Sequence, residues 1–298
     1  MKKLPFLLCF WLLLSACSQT TQTASPPSPS PTVPAAIDTP TAAAVEANDG
    51  LPVPPPGQAW ERVEELSDEF DGNQLDRGKW LDKVPYWDGR EPSRYAVENV
   101  SVADGFLRLK STSLVADVAE VSNPEWDVWV SAASIASREP TARAGYYYEA
   151  RFKASRLSMT SSFWLQGLYS EIDIVEQMGD PAYNPNNRFL MRMNTHYFPN
   201  GFEFDISTPL DWPMNSGAGD EFHTYGAWWR DARTVLFYHN GSLVTEVQTG
   251  GSFDEPMYLF FDTEVFTSDG LPKVEALQND ALNTMLVDWV RVWRLATK

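Results

Sequence analysis

Ser170-Glu171-Ile172-Asp173-Ile174-Val175-Glu176-Gln177 sets three carboxylates within six residues of a β-branched run. Ile and Val favour strands, and a strand has a side-chain period of two. Glu171 and Asp173 then point to one face, and Ile172 and Ile174 to the other. Glu176 falls on the Ile face of a regular strand. One extra residue between Asp173 and Glu176, a β-bulge, returns it to the carboxylate face. The two glutamates then lie roughly 13 Å apart at Cα, and side chains leaning together approach the ~5–5.5 Å of a retaining glycosidase. The same spacing also suits a solvated acidic patch or part of a calcium site.

Outward from this run, the chain reads as β structure. Phe106–Lys110 follows an Asp104-Gly105 turn, and Val128–Ser137, Gly145–Lys153 and Ser162–Leu165 precede the acidic run. Arg188–Tyr197, Phe222–Arg230, Thr234–His239, Leu243–Gln248, Met257–Val265 and Met285–Trp293 follow it. His239-Asn240-Gly241-Ser242 predicts a hairpin, because Asn-Gly supplies the positive φ of a type I′ turn. Helical periodicity is confined to Val274–Leu282. Many short strands at this spacing predict an all-β, two-sheet antiparallel sandwich of the jelly-roll kind, with a concave cleft for substrate.

The N-terminus has the pattern of an export signal. Lys2 and Lys3 precede an apolar Leu4–Leu14, and Leu14-Ser15-Ala16-Cys17 is similar to a bacterial lipobox. The expected organisation is a signal peptide at 1–16, then a lipidated Cys17 with a disordered Pro/Thr/Ala/Ser tether through 57. A catalytic domain fills 58–298. That places the protein on an outer membrane or cell surface, held by its lipid. Beyond Cys9 and Cys17 no cysteine remains, so the mature domain has no disulfide and no thiol chemistry. Three scattered histidines offer little for a zinc site. A formal net charge of −17 argues against nucleic acid as a partner.

Tryptophan is frequent, with 12 in the chain. Trp289 and Trp293 are expected in the core of the last strand. Trp87, Trp126, Trp129 and Trp164 stand in loops or beside the acidic run, where an indole can stack on a sugar ring.

Glu171-Ile172-Asp173-Ile174-Val175-Glu176 resembles the ExDxxE signature of glycoside hydrolase family 16, a family of β-jelly-roll polysaccharide hydrolases. The resemblance runs from about residue 60 to 298. It includes Asp68-Glu69-Phe70-Asp71-Gly72, Gly145-Tyr146-Tyr147-Tyr148-Glu149-Ala150-Arg151, Phe163-Trp164-Leu165, and Phe222-His223-Thr224-Tyr225-Gly226. Gly89-Arg90-Glu91-Pro92, Glu98–Val102 and Asp262-Thr263-Glu264 resemble the agarase and porphyranase branch. The resemblance implies Glu171 as nucleophile, Glu176 as general acid/base, and Asp173 between them. It implies substrate contacts at Trp87, Arg90, Trp164, His196 and Glu264. Asp288 resembles a structural calcium ligand; no cofactor is expected for catalysis.

The implied activity is retaining, endo-acting hydrolysis of a β-linked red-algal galactan, agarose or porphyran, by a monomer. Arg90, Arg94, Arg138, Arg143, Arg188 and Arg192 are the candidates for a sulfate contact. Two alternatives stand beside it. One is a laminarinase-like β-1,3-glucanase or κ-carrageenase-like hydrolase using the same acids. The other is a non-catalytic surface lipoprotein that binds glycans.

Overall fold

A computed structural model describes residues 50–298. The signal segment 1–16, Cys17 and most of the tether lie outside the described residues. The tether was expected to run to 57, yet Leu51 packs beside Trp60, and the Trp60 indole donates to the Pro52 carbonyl. A Pro-rich stretch is ordered there because two apolar side chains find a partner on the sheet.

Two large antiparallel sheets carry the described chain. In the outer sheet the order runs Ser242–Gln248, Thr234–His239, His223–Asp231, Tyr146–Lys153, Thr284–Thr297, Phe106–Lys110 and Val100–Ala103. Gln58–Arg62 lies along the far end of Thr284–Thr297. The inner sheet runs Ile206–Ser207, Leu190–Tyr197, Ser170–Met178, Thr160–Gln166, Tyr258–Asp262, Ser134–Ser137 and Trp80–Leu81. A small third sheet, Ser93–Tyr95 with Val130–Ala132 and Thr112–Ser113, stands apart from both.

Alternation places the core between the large sheets. Phe163, Leu165, Ile172, Ile174 and Phe261 face it from the inner sheet; Tyr148, Ala150, Phe152, Tyr225 and Phe237 face it from the outer. Phe163 and Phe261 stack with centroids 4.7 Å apart. Burying each such side chain is worth roughly 1.5–3 kcal/mol. The hairpin forms as expected, with Asn240 at φ 49° and Gly241 at φ 75°.

Some boundaries and faces differ from expectation. Val128–Ser137 divides into Val130–Ala132 and Ser134–Ser137, in different sheets. The helical stretch is only Val274–Leu277. In the last strand Val290 and Val292 fill the core, so Trp289 and Trp293 stand on the outer face. Both sets are apolar, and alternation alone cannot say which set turns inward. Trp129 is a core residue at 1% exposure, whereas Trp126 is exposed.

Candidate active site

The predicted bulge is present. Ser162 pairs with Glu176 and Phe163 with Val175, but Trp164 pairs with Asp173, so Ile174 is the extra residue. Gln166 pairs with Glu171. On the other side, Tyr258, Phe260 and Asp262 pair with Gln166, Trp164 and Ser162. The inner sheet thus offers a lattice of rows: Tyr258-Gln166-Glu171, Phe260-Trp164-Asp173 and Asp262-Ser162-Glu176. His196 extends the first row, being paired with Glu171. Ile172, Ile174 and Val175 are buried in the core beneath.

A hollow of about 370 Å³ opens over this lattice. Glu171, Asp173 and Glu176 line it together, with Trp87, Arg90, Trp164 and Glu264. Sequence reasoning named all of these. It assigned no role to Tyr86, Ser162, Gln166 or Phe202, and took Asp262 only as part of a family-like segment, yet these line it too. Ser162 and Gln166 were findable, since they share the parity of Trp164 on one strand. Tyr86 and Phe202 arrive from irregular segments that carry no periodic signal. Of the six arginines considered for an anion, Arg90 lines the hollow and the other five do not.

Hydrogen bonds fix the acids. Gln166 Nε2 donates to Glu171 Oε2. His196 Nε2 lies 3.1 Å from Asp173 Oδ2 and 4.0 Å from Glu171 Oε1. The far side of the same ring is held by Asp205, whose two oxygens lie 2.8 and 2.9 Å from His196 Nδ1. Asp205 was not anticipated; it sits in the connection before Ile206–Ser207 and has no strand pattern to mark it. Trp164 stacks on Phe260 at 4.3 Å, and its Nε1 donates to Asp262 Oδ2 at 3.2 Å. It forms floor rather than rim. Trp87 meets Tyr95 edge-on at 5.6 Å, with the Arg90 guanidinium 5.8 Å from its ring.

Crowding of carboxyls raises their proton affinity. Burial, then the nearby Glu264, push the Glu176 carboxyl up to about 7, against the pull of Arg192, Arg90 and His196. Burial and Asp173 push Glu171 well above the usual carboxylate range. Burial and Glu176 do the same to Asp173, so these neighbours share protons rather than all ionise. The donors decide the sharing. Gln166 donates to Glu171 Oε2, and the carboxyl–carboxyl hydrogen bond between Glu171 and Asp173 raises Glu171 and lowers Asp173, so one proton lies between the pair.

Asp288 does not fit a calcium site. Arg151 Nη1 bonds its Oδ2, which puts a guanidinium where a divalent cation would have to approach. Among the described residues, the one group of three His and carboxylate donors within 4.8 Å of one another is Glu171, Asp173 and His196. Their mutual hydrogen bonding accounts for that spacing.

A lattice of acids beneath an open hollow is the equipment for glycosidic bond cleavage, and comparison with known proteins agrees on the family. The family model described as "Beta-porphyranase A-D, GH16 domain" matches residues 60–295. Beta-porphyranase B of Phocaeicola plebeius is 33% identical over 282 residues, covering 82% of this chain and 88% of that protein. Beta-porphyranase E of Zobellia galactanivorans is 33% identical over 268 residues, covering 81% and 90%. The crystal structure of a beta-porphyranase from the human gut bacterium Bacteroides plebeius superposes with a TM-score of 0.73 at 32% identity, covering 83% of this chain and 96% of that one. The sandwich is therefore the jelly roll that the ExDxxE resemblance implied, and the chain belongs to the beta-porphyranase A–D group of glycoside hydrolase family 16.

Proposed function

We propose that the protein is a retaining, endo-acting hydrolase of β-linked red-algal galactan, of the porphyran type. The observation that carries this reading is the placement of Glu171 and Glu176 on one face of a single bulged strand, at the floor of one open hollow. Glu176, held protonated near neutrality, donates to the glycosidic oxygen as the bond to the leaving sugar breaks. Glu171 attacks the anomeric carbon and forms a glycosyl-enzyme. Glu176, now a carboxylate, removes a proton from water, which displaces Glu171 with net retention. Asp173 keeps a hydrogen bond on Glu171, and His196, braced by Asp205, keeps Asp173 in place.

Arg90 favours an anionic galactan. Its side chain is 52% exposed beside Trp87, so a guanidinium and an indole face the hollow together. A sulfate ester suits the cation and a sugar face suits the ring. The relatives named as beta-porphyranases point the same way. Export and lipidation at Cys17 would hold a monomeric catalytic domain at the bacterial surface, where such a polymer is met; this rests on Lys2, Lys3, the apolar run and the lipobox-like Leu14–Cys17.

A reducing-sugar assay on porphyran, agarose, κ-carrageenan and laminarin tests the reading. Release of oligosaccharides from porphyran, with less from agarose, is expected. Cleavage of laminarin or κ-carrageenan alone would reassign the substrate. Binding without cleavage of any of them would leave a glycan-binding protein instead.

A further inference from the structure

Glu264 was expected to contact substrate, and its surroundings hold both of its oxygens. Its side chain is 6% exposed, and both oxygens are engaged. Oε2 accepts from Arg90 Nε at 3.0 Å, and Oε1 lies 2.8 Å from Tyr95 Oη. Tyr95 Oη also lies 2.8 Å from Asp262 Oδ2. One phenolic hydrogen cannot serve two carboxylates. The unit Asp262–Tyr95–Glu264 therefore holds one proton more than the tyrosine brings.

The position of that proton follows from the neighbours. Glu264 has a guanidinium on it; Asp262 has only neutral groups near it, Trp164 and Tyr95 on Oδ2 and the Ser162 hydroxyl, and no hydrogen bond reaches its buried Oδ1. An ionised carboxylate with a bare buried oxygen is costly, whereas a neutral carboxyl leaves only a carbonyl-like atom there. Asp262 thus carries the proton and donates it to Tyr95, Tyr95 donates to Glu264, and Glu264 stays anionic. The Thr160 hydroxyl accepts from the Glu264 amide at 2.9 Å and fixes the segment.

We propose that Glu264 is a positioning residue for the acid/base: its fixed negative charge, oriented by Arg90 and Tyr95, keeps the proton on Glu176 until substrate takes it. This rests on the hydrolase reading above. The charged and titratable groups around Glu176 are Glu171 and Asp173 on its own strand, Arg192 and His196 on the next, Asp262 and Glu264 across the lattice, and Arg90 above. Of these, Glu264 is the carboxyl with a guanidinium directly on it, and Arg90 and Tyr95 work against the burial that raises it. Glu264 is also the largest charge acting to raise Glu176, second only to burial itself.

The test is the pH dependence of kcat/KM on porphyran for wild type, Glu264→Gln and Glu264→Asp. The alkaline limb reports the acid in the free enzyme. Glu264→Gln keeps one acceptor for Arg90 and loses the charge, so its alkaline limb should fall by on the order of one pH unit. Glu264→Asp should return the limb towards wild type. An unmoved limb in Glu264→Gln would overturn the proposal. A second arm needs no variant: carbon-13 NMR of the wild-type protein labelled at glutamate carboxyls. Glu264 ionised at pH 7, with Glu176 titrating near it, is expected; a protonated Glu264 at pH 7 would overturn the proposal. The NMR arm does not depend on turnover. A wild type that cleaves no polysaccharide would sink the hydrolase reading and is distinguishable from either result.

Discussion

Ser162 faces Glu176 directly across the two central strands of the inner sheet, one register step from where a regular ladder would put it. In an unbulged ladder of the same residues, the pairing that joins Gln166 to Glu171 would set Val175 opposite Ser162. Glu176 would then turn into the apolar core. Exchanging the two residues, Val175→Glu with Glu176→Val, should therefore abolish activity and lower the melting temperature, since it buries a carboxylate and exposes a valine. Circular dichroism melts and a porphyran assay read both; an active exchange variant would show that the acid does not need this face.

Glu171→Gln removes the attacking oxygen while leaving the shape of the site. Turnover should fall by at least ~10⁴-fold, in line with loss of a nucleophile. Oligosaccharide binding by calorimetry should stay near the wild-type value. A rate within tenfold of wild type would reassign the nucleophile.

Much of the site was legible because a strand makes side-chain direction a matter of parity. Glu171 and Asp173 agree in parity, Glu176 does not, and the mismatch itself demanded a bulge between Asp173 and Glu176, which the structure puts at Ile174. Gln166 and Ser162 follow from the parity of Trp164. Tyr95 and Asp262 could not be joined by such reasoning, since they meet across 167 positions of chain. Nor could His196 be joined to Asp205, which lies in an irregular connection. Trp289 and Trp293 were misplaced because valine and tryptophan both suit a buried face, and the outer sheet clothes its exterior with aromatics and arginines, as where Arg291 covers Trp289 at 4.1 Å. Asp288 was given a calcium role by resemblance, and nothing local in its sequence announces Arg151 on the neighbouring strand.

Asp205→Asn should weaken the hold on His196 without emptying the hollow. Loss of that brace should reduce kcat by up to about 10²-fold, as small misplacements near a reacting centre do, with KM little changed. Steady-state kinetics on porphyran oligosaccharides check this. An equal rise in KM with kcat intact would place Asp205 in substrate binding instead.

Stability should depend on pH in a definite direction. Glu176, Asp173, Glu171 and Asp262 all bind protons more tightly folded than unfolded. Their stabilisation is full below the unfolded carboxylate range and is lost as pH rises through the folded values. His223 and His239 act oppositely. Burial lowers both, His239 to about 4, so stability from them grows as pH rises and is complete above about 6.5. Between pH 6.5 and 8 the acids therefore govern, and the melting temperature should fall. Glu176→Gln should flatten that decline; an unchanged slope would mean that Glu176 does not titrate there.

The stereochemistry of the first product tests the central claim most directly. Glu171 and Glu176 acting as nucleophile and acid/base from one face require retention at the anomeric carbon. Proton NMR of the anomeric region, followed from the first minutes of porphyran hydrolysis, should show the β-anomer appearing first and mutarotating later. First appearance of the α-anomer would contradict the account.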